Sequence, residues 1–209
     1  MLKGSFSAFF TALFAGAVLL IAIKLGFFQS QAIQDPEAFI SDLDLEQTAK
    51  LTAPIGVLPE NANLRTNQAG IDIIKESEGL RLEAYQLGGQ WLIGYGHSRT
   101  ARAGMVISAR RAEELLRDDL RDFEEGVKRL LTVPVNRNEF SAMVSLAYNL
   151  GIGGFKKTAV LERVNAGDRQ GAADAFLRHN RARVNGTLKP IPHLTERRAH
   201  ERALFLKPV

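Results

Sequence analysis

The residues best suited to chemistry lie between positions 76 and 97. Glu76-Ser77-Glu78-Gly79-Leu80-Arg81-Leu82-Glu83-Ala84-Tyr85 leads, after five residues, to Trp91-Leu92-Ile93-Gly94-Tyr95-Gly96-His97. Glu78 falls at the expected end of a helix, just before Gly79. A carboxyl group held where the helix dipole and partial burial both resist ionisation suits general-acid catalysis. The plainer reading is a solvated glutamate that merely ends a helix. Tyr85 and Trp91 offer ring faces for stacking on sugars, or else pack a small sheet. His97 suits a hydrogen-bonding role that orders a cleft. His179, His193 and His200 are scattered and no His-Glu-x-x-His run occurs, so neither a metal nor another cofactor is expected. Gly88-Gly89 matches no phosphate-binding loop.

Several elements must position these groups. Ile71, Ile73, Ile74 and Ser77 predict a short helix, with Gly79 as a left-handed stop. Leu80–Gly96 reads as a β-hairpin turning at Gly88-Gly89. Ser108 caps a long helix whose apolar stripe runs Leu115, Leu116, Leu120, Phe123, Val127 and Leu130. Asn136 and Glu139 form a capping box before Phe140, Met143, Val144, Ala147 and Leu150, and Gly151 closes that helix. Further helices are expected over Thr158–Asn165, over Arg169–His179 behind Asp168, and over Thr195–Leu206. The fold class expected is α+β and predominantly helical. A small sheet precedes a helical bundle, with a cleft between them, over residues 70–209.

The chain has 209 residues, a net charge of +4 and 45% apolar residues, which excludes a disordered chain and a multi-span membrane protein. It has no cysteine, so disulfides, zinc–thiolate sites and thiol nucleophiles are excluded. Residues 1–70 carry four basic and six acidic side chains (net −2), and residues 71–209 carry 23 and 17 (net +6). Ser5 to Ile23 is an uncharged run of 19 residues bounded by Lys3 and Lys24. It is just long enough to cross a bilayer, for which roughly 20 residues are needed. An uncleaved transmembrane anchor is favoured over a signal peptide cut near Ser30-Gln31-Ala32, because the run exceeds a usual apolar core of ~7–15 residues. The organisation expected is an anchor over 1–32, a linker over 33–69 with Pro36, Pro54 and Pro59, and the exported domain.

The run from Glu78 to His97 resembles the phage-type lysozymes, glycoside hydrolase family 24. The likeness continues through Asn149-Leu150-Gly151, Phe155, Asn165-Ala166-Gly167-Asp168 and Arg197-Arg198-Ala199-His200-Glu201-Arg202-Ala203-Leu204-Phe205. It implies a lysozyme-like fold and cleavage of the β-1,4 bond between N-acetylmuramic acid and N-acetylglucosamine in peptidoglycan. Placement in the inner membrane, with the domain in the periplasm, resembles the signal-anchor endolysins. Glu78 matches the family's catalytic Glu. The family's Asp falls at Gln86 or Leu87, and its Thr at Leu92, so two of three catalytic types are absent. Glycosidases ordinarily need two carboxyl groups. Glu83 is the nearest substitute, and a substrate-assisted route needing Glu78 alone stays open. The stretches Ala84-Tyr85-Gln86-Leu87, Gly96-His97 and Thr100-Ala101-Arg102-Ala103-Gly104 also resemble the muramidase-related domains of SpmX-type morphogenesis proteins, which implies a binding or localisation role.

The expected partners are therefore peptidoglycan glycan strands and the inner membrane. Nucleic acid is not expected, since no recognised module accompanies the arginines between Arg178 and Arg202. Substrate-binding candidates are Tyr85, Trp91, His97, Asn149 and Arg198, with Arg198 expected to pair with Glu78 inside the cleft.

Overall fold

The computed structural model describes residues 56–184 and 186–209. The expected anchor over residues 5–23 lies outside the described residues. Among the described residues, no helix is long and apolar enough to cross a membrane. The chain divides into two compact units, Met1–Ala62 and Asn63–Val209. In the first unit the described residues include the single-turn helix α1 (Pro59–Ala62).

The second unit opens with α2 (Gln68–Glu78), whose N-cap Asn67 accepts from Gly70 N–H at 3.0 Å. The antiparallel pair β1 (Arg81–Leu87) and β2 (Gln90–Gly94) follows, in the register Tyr85↔Leu92, Gln86↔Trp91 and Leu87↔Gln90, with a shift between Arg81 and Tyr85. Gly88 and Gly89 take φ of 59° and 82°, the two positive values that a two-residue hairpin turn requires. Residues 105–107 run along the other edge of β1, with Ala84 N–H bonded to Met105 O and Ile107 N–H to Leu82 O, both at 2.9 Å.

The helical part comprises α3 (Ala109–Leu130), α4 (Arg137–Leu150), α5 (Ile152–Phe155), α6 (Ala159–Asn165), α7 (Arg169–Phe176) and α8 (Pro192–Leu206). Ser108 caps α3, and the Asn136/Glu139 capping box opens α4. Helix α4 is the centre of the unit, packed on α2, α3 and α8. Its Phe140, Met143, Val144, Leu146 and Ala147 are fully buried. Burying each larger apolar side chain contributes about 1.5–3 kcal/mol. Its polar faces are satisfied as well: Ser141 Oγ donates to Arg137 O at 2.7 Å and accepts from Asn67 N–H at 2.9 Å.

Three local expectations differ. Gly79 has the positive φ (68°) but a ψ of 159°, so the chain leaves α2 straight into extended backbone rather than through a left-handed helical turn. The helix expected to reach His179 ends at Phe176, and a second hairpin follows, β3 (Arg181–Val184) with β4 (Thr187–Pro190). Arg181-Ala182-Arg183-Val184 alternates basic and apolar residues over only four positions, and the Asn185-Gly186 pair was the accompanying turn signal. Helix α8 starts at Pro192 rather than Thr195, because proline suits the first turn and Thr195 N–H bonds back to Ile191 O at 2.9 Å.

Candidate active site

Glu78 is the last residue of α2, and its side chain is 25% exposed. Arg197 Nη1 donates to its Oε1 at 2.7 Å. The other oxygen, Oε2, lies 3.6 Å from where a Cβ on Gly96 would stand. Gly96 has φ 87° and borders the cleft, which places Oε2 next to the cleft wall. One carboxylate oxygen is thus held by Arg197, and the other lies beside Gly96, a residue of the cleft wall.

The guanidinium beneath Glu78 belongs to Arg197, not to Arg198 as expected. Arg197 is 3% exposed and its donors are divided among four acceptors. These are Glu78 Oε1, Ser77 Oγ at 2.9 Å, Ser145 O at 3.1 Å and Glu201 Oε1 at 3.2 Å. Arg198 is fully buried, so it cannot meet a ligand. Its Nη2 donates to Glu201 Oε1 at 3.0 Å, and its Nε lies 2.9 Å from Glu201 Oε2, misaligned for a hydrogen bond. The reason is helix geometry: adjacent residues diverge by about 100° around α8, so only one of the two arginines faces α2. Burial brings the Arg198 guanidinium down to about 10, which still leaves it cationic at neutral pH. Burial also raises the Glu201 carboxyl above the ordinary carboxylate range, against the opposing pull of Arg198 and Arg197. Two guanidinium groups and two carboxyl groups therefore share one buried cluster, with Ser145 Oγ donating to Glu201 Oε1 at 2.7 Å.

Beside Glu78 opens a cleft of about 660 Å³. Gln90 and Leu92 line it from β2, Asp119, Asp122 and Phe123 from α3, and Tyr148 and Asn149 from α4, with Arg99 and Ile152 completing it. Cross-strand pairing puts Tyr85 and Leu87 on the same face of the hairpin as Leu92 and Gln90. Trp91 is opposite Gln86 and faces the other way, so the two stacking candidates part company. Tyr85 is half-buried under the Arg81 guanidinium, 4.4 Å above its ring. Leu87 is 64% exposed. Glu83 bridges to Val106 at the outer edge of β1 and is exposed.

His97 is 3% exposed and braces the cleft from within. Its Nδ1 lies 2.8 Å from Asp119 Oδ2, and its Nε2 meets Thr100 Oγ1 at 2.8 Å and Thr100 N–H at 3.2 Å. A carboxylate only accepts, so Nδ1 carries the hydrogen and Nε2 accepts from Thr100. Asp119 also receives Arg99 Nη2 at 3.0 Å. Asn149 is brought to the cleft wall. Sequence reasoning missed Arg197, Asp119 and Tyr148. Asp119 sits four residues past Leu115 and four before Phe123, on the apolar stripe of α3, and an acid there was the available signal. Tyr148 donates to Tyr95 O at 2.8 Å, and burial raises its hydroxyl far above the usual phenol range. Among the described residues, no group of three His, Cys, Asp or Glu side chains is placed to hold a metal.

A carboxylate at a helix end, gripped by arginine beside a groove between a small sheet and a helical bundle, defines the lysozyme type of glycoside hydrolase site. The phage lysozyme family model matches residues 75–201, and the chain belongs to that family. The endolysin of Acyrthosiphon pisum secondary endosymbiont phage 1 is 38% identical over 143 residues, covering 68% of this chain and 98% of that protein. The endolysin of Bacillus phage B103 is 44% identical over 147 residues, and there the chain spans about half (54%) of the relative's length. Among solved structures, the muramidase domain of SpmX from Asticaccaulis excentricus is 42% identical with a TM-score of 0.67, covering 70% of this chain and all of that one.

Proposed function

We propose that the chain is a muramidase that cuts the β-1,4 bond between N-acetylmuramic acid and N-acetylglucosamine in peptidoglycan, with Glu78 as general acid. The observation that carries this reading is the placement of the Glu78 carboxyl: Oε1 is held by Arg197, and Oε2 adjoins Gly96 of the cleft wall. A proton on Oε2 is placed to pass to the leaving glycosidic oxygen as the bond breaks. The cleft lies within the ~300–1,000 Å³ usual for small-ligand sites, and Asn149 and Gln90 supply polar contacts at its wall.

The other half of glycosidic cleavage is weakly provided. Leu92 lines the cleft and Leu87 shares its face of the hairpin; the resemblance puts the family's Thr at Leu92 and its Asp at Gln86 or Leu87, none of which carries a carboxylate. Slow turnover follows, either by unassisted water attack or by the substrate's own N-acetyl group acting as nucleophile. The same two leucines favour a second reading, a peptidoglycan-binding or localisation module on a lysozyme fold. In both readings residues 5–23 anchor the chain in the inner membrane, and the domain works in the periplasm.

The test is digestion of isolated sacculi by the purified chain, with Glu78→Gln as control and mass analysis of released muropeptides. Reducing ends mean that water completes the cleavage, directly or after N-acetyl attack, and anhydro ends mean that the muramic acid C6 hydroxyl takes the place of water. Release equal to the control, with binding intact, leaves the binding module as the function.

A further inference from the structure

The β3–β4 hairpin is basic without compensation. Residues 177–190 hold Arg178, Arg181, Arg183 and Lys189 and no acidic residue. Arg181, Arg183 and Lys189 are exposed and, among the described residues, none forms an ion pair. Most arginines around the cleft are matched to carboxylates, as Arg99 is to Asp119 and Asp122, and Arg197 to Glu78 and Glu201. The register pairs Arg183 with Leu188 and Arg181 with Pro190, so both arginines share one face with Leu188, which stands opposite Arg183. Lys189 opposes Ala182 on the reverse face, where Ala182 is half-buried. Leu188 is 53% exposed, so the arginine face is open to solvent.

The hairpin is also anchored next to the proton donor. Asn180 and Ile191 close its base by a 2.8 Å bond, and Asn180 Nδ2 donates to Thr195 Oγ1 at 3.1 Å. Three residues beyond β4, His193 Nε2 lies 2.9 Å from Ser77 Oγ, and Ser77 precedes Glu78. The base of the hairpin is thus tied, through His193 and Ser77, to the end of α2 that carries Glu78.

We propose that Arg181 and Arg183 bind the carboxylates of the stem peptides on a bound glycan strand, with Leu188 against their alanine methyl groups. The proposal rests on peptidoglycan being the ligand, and it adds a specificity: strands bearing free carboxylates bind over neutral ones such as chitin. Guanidinium forks pair with carboxylates in two-point geometry, and exposed pairs of this kind are weakened by salt. An anionic lipid surface is the competing source of negative charge.

The experiment uses the full chain in neutral detergent with Glu78→Gln, so that binding is read whether or not catalysis occurs. Native sacculi, sacculi whose carboxylates are capped as amides, and anionic vesicles are compared. Arg181→Gln with Arg183→Gln is expected to weaken binding to native sacculi about tenfold, since exposed charge contacts are each worth a few-fold. It should flatten the salt dependence and leave binding to capped sacculi unchanged. Lys189→Gln, an equal charge change per residue on the reverse face, should have little effect. Unfolding midpoints of these surface variants check that the fold is kept. Equal binding of the double variant and its parent to native sacculi overturns the proposal. So does an equal loss on capped sacculi, a loss as large with Lys189→Gln, or a loss confined to vesicles. Failure of hydrolysis leaves all these readings unaffected.

Discussion

Arg197 Nη1 stands 2.7 Å from Glu78 Oε1, while the next residue, Arg198, has both its Nη2 and its Nε turned to Glu201. Glu201 Oε1 also receives Arg197 Nε, so one buried carboxylate links the two arginines. Removing a partner from a buried ion cluster strands the remaining charges, which costs about 3–5 kcal/mol. Arg197→Ala should lose stability of that order in urea unfolding. Arg197→Lys should recover only part, because one ammonium cannot serve Glu78, Ser77, Ser145 and Glu201 together. A loss below about 1 kcal/mol for the alanine variant contradicts the network, given the ~3 kcal/mol minimum for breaking a buried pair.

Lys75 and Glu113 join α2 to α3 at 2.5 Å, with Tyr95 hydroxyl donating to the same Glu113 oxygen at 3.0 Å. The Lys75 hydrogen bond holds the Glu113 carboxyl below its ordinary value of 4.5, and Glu113 raises the Lys75 ammonium above 10.5. A lowered carboxyl stabilises the fold above its unfolded value and stops doing so as pH falls through the folded one. A raised ammonium stabilises below its unfolded value and stops as pH rises through the folded one. The pair therefore contributes across the window from about 4.5 to 10.5. Both side chains are about 30% exposed, so the contribution is below about 1 kcal/mol. Lys75→Met should lower the thermal midpoint slightly at pH 7 and by less at pH 3, since the contribution fades as pH falls below 4.5. An undiminished difference at pH 3 contradicts this assignment.

Under the proposed function, Leu87→Asp with Leu92→Thr supplies an acid and a hydroxyl on the face of the hairpin that Leu92 presents to the cleft. Both positions are at least partly exposed, so no buried charge is created. Muropeptide release should rise at least about tenfold, since a positioned general base contributes roughly 10²–10⁴ when fully effective. A folded but inert double variant means that the cleft-facing register of β1 and β2 does not place the reaction.

Gly70 in α2 is packed so that an added Cβ would lie 2.8 Å from Ser141 Cβ and 3.2 Å from Ser141 O. Neither atom is at the end of a flexible side chain. Gly70→Ala should cost about 1–3 kcal/mol despite the better helix propensity of alanine, read as a lower unfolding midpoint. A stabilised variant contradicts the α2–α4 contact.

Much of this architecture was legible in the chain. The α3 stripe, the Asn136/Glu139 box and the Gly88-Gly89 turn are local signals, and they stand where local physics puts them. The choice between Arg197 and Arg198 was not legible, because helix phase depends on how α8 packs against α2. The β3–β4 hairpin was hidden because its alternation, Arg181-Ala182-Arg183-Val184, runs for only four residues and merges with the helix expected to reach His179. Trp91 facing away from the cleft follows from pairing register, which composition does not reveal. Asp119 was visible as an acid on an apolar stripe, but its partners His97 and Arg99 come from a loop some 20 residues earlier.

The central claim is that Glu78 donates the proton that frees the leaving sugar. The most direct measurement is the rate of new reducing ends released from sacculi by the wild-type chain and by Glu78→Gln, which keeps size and removes the acid. The account predicts a slow but measurable wild-type rate and a fall of at least about 100-fold in the variant. Equal rates in the two proteins, both above a no-protein control, contradict it.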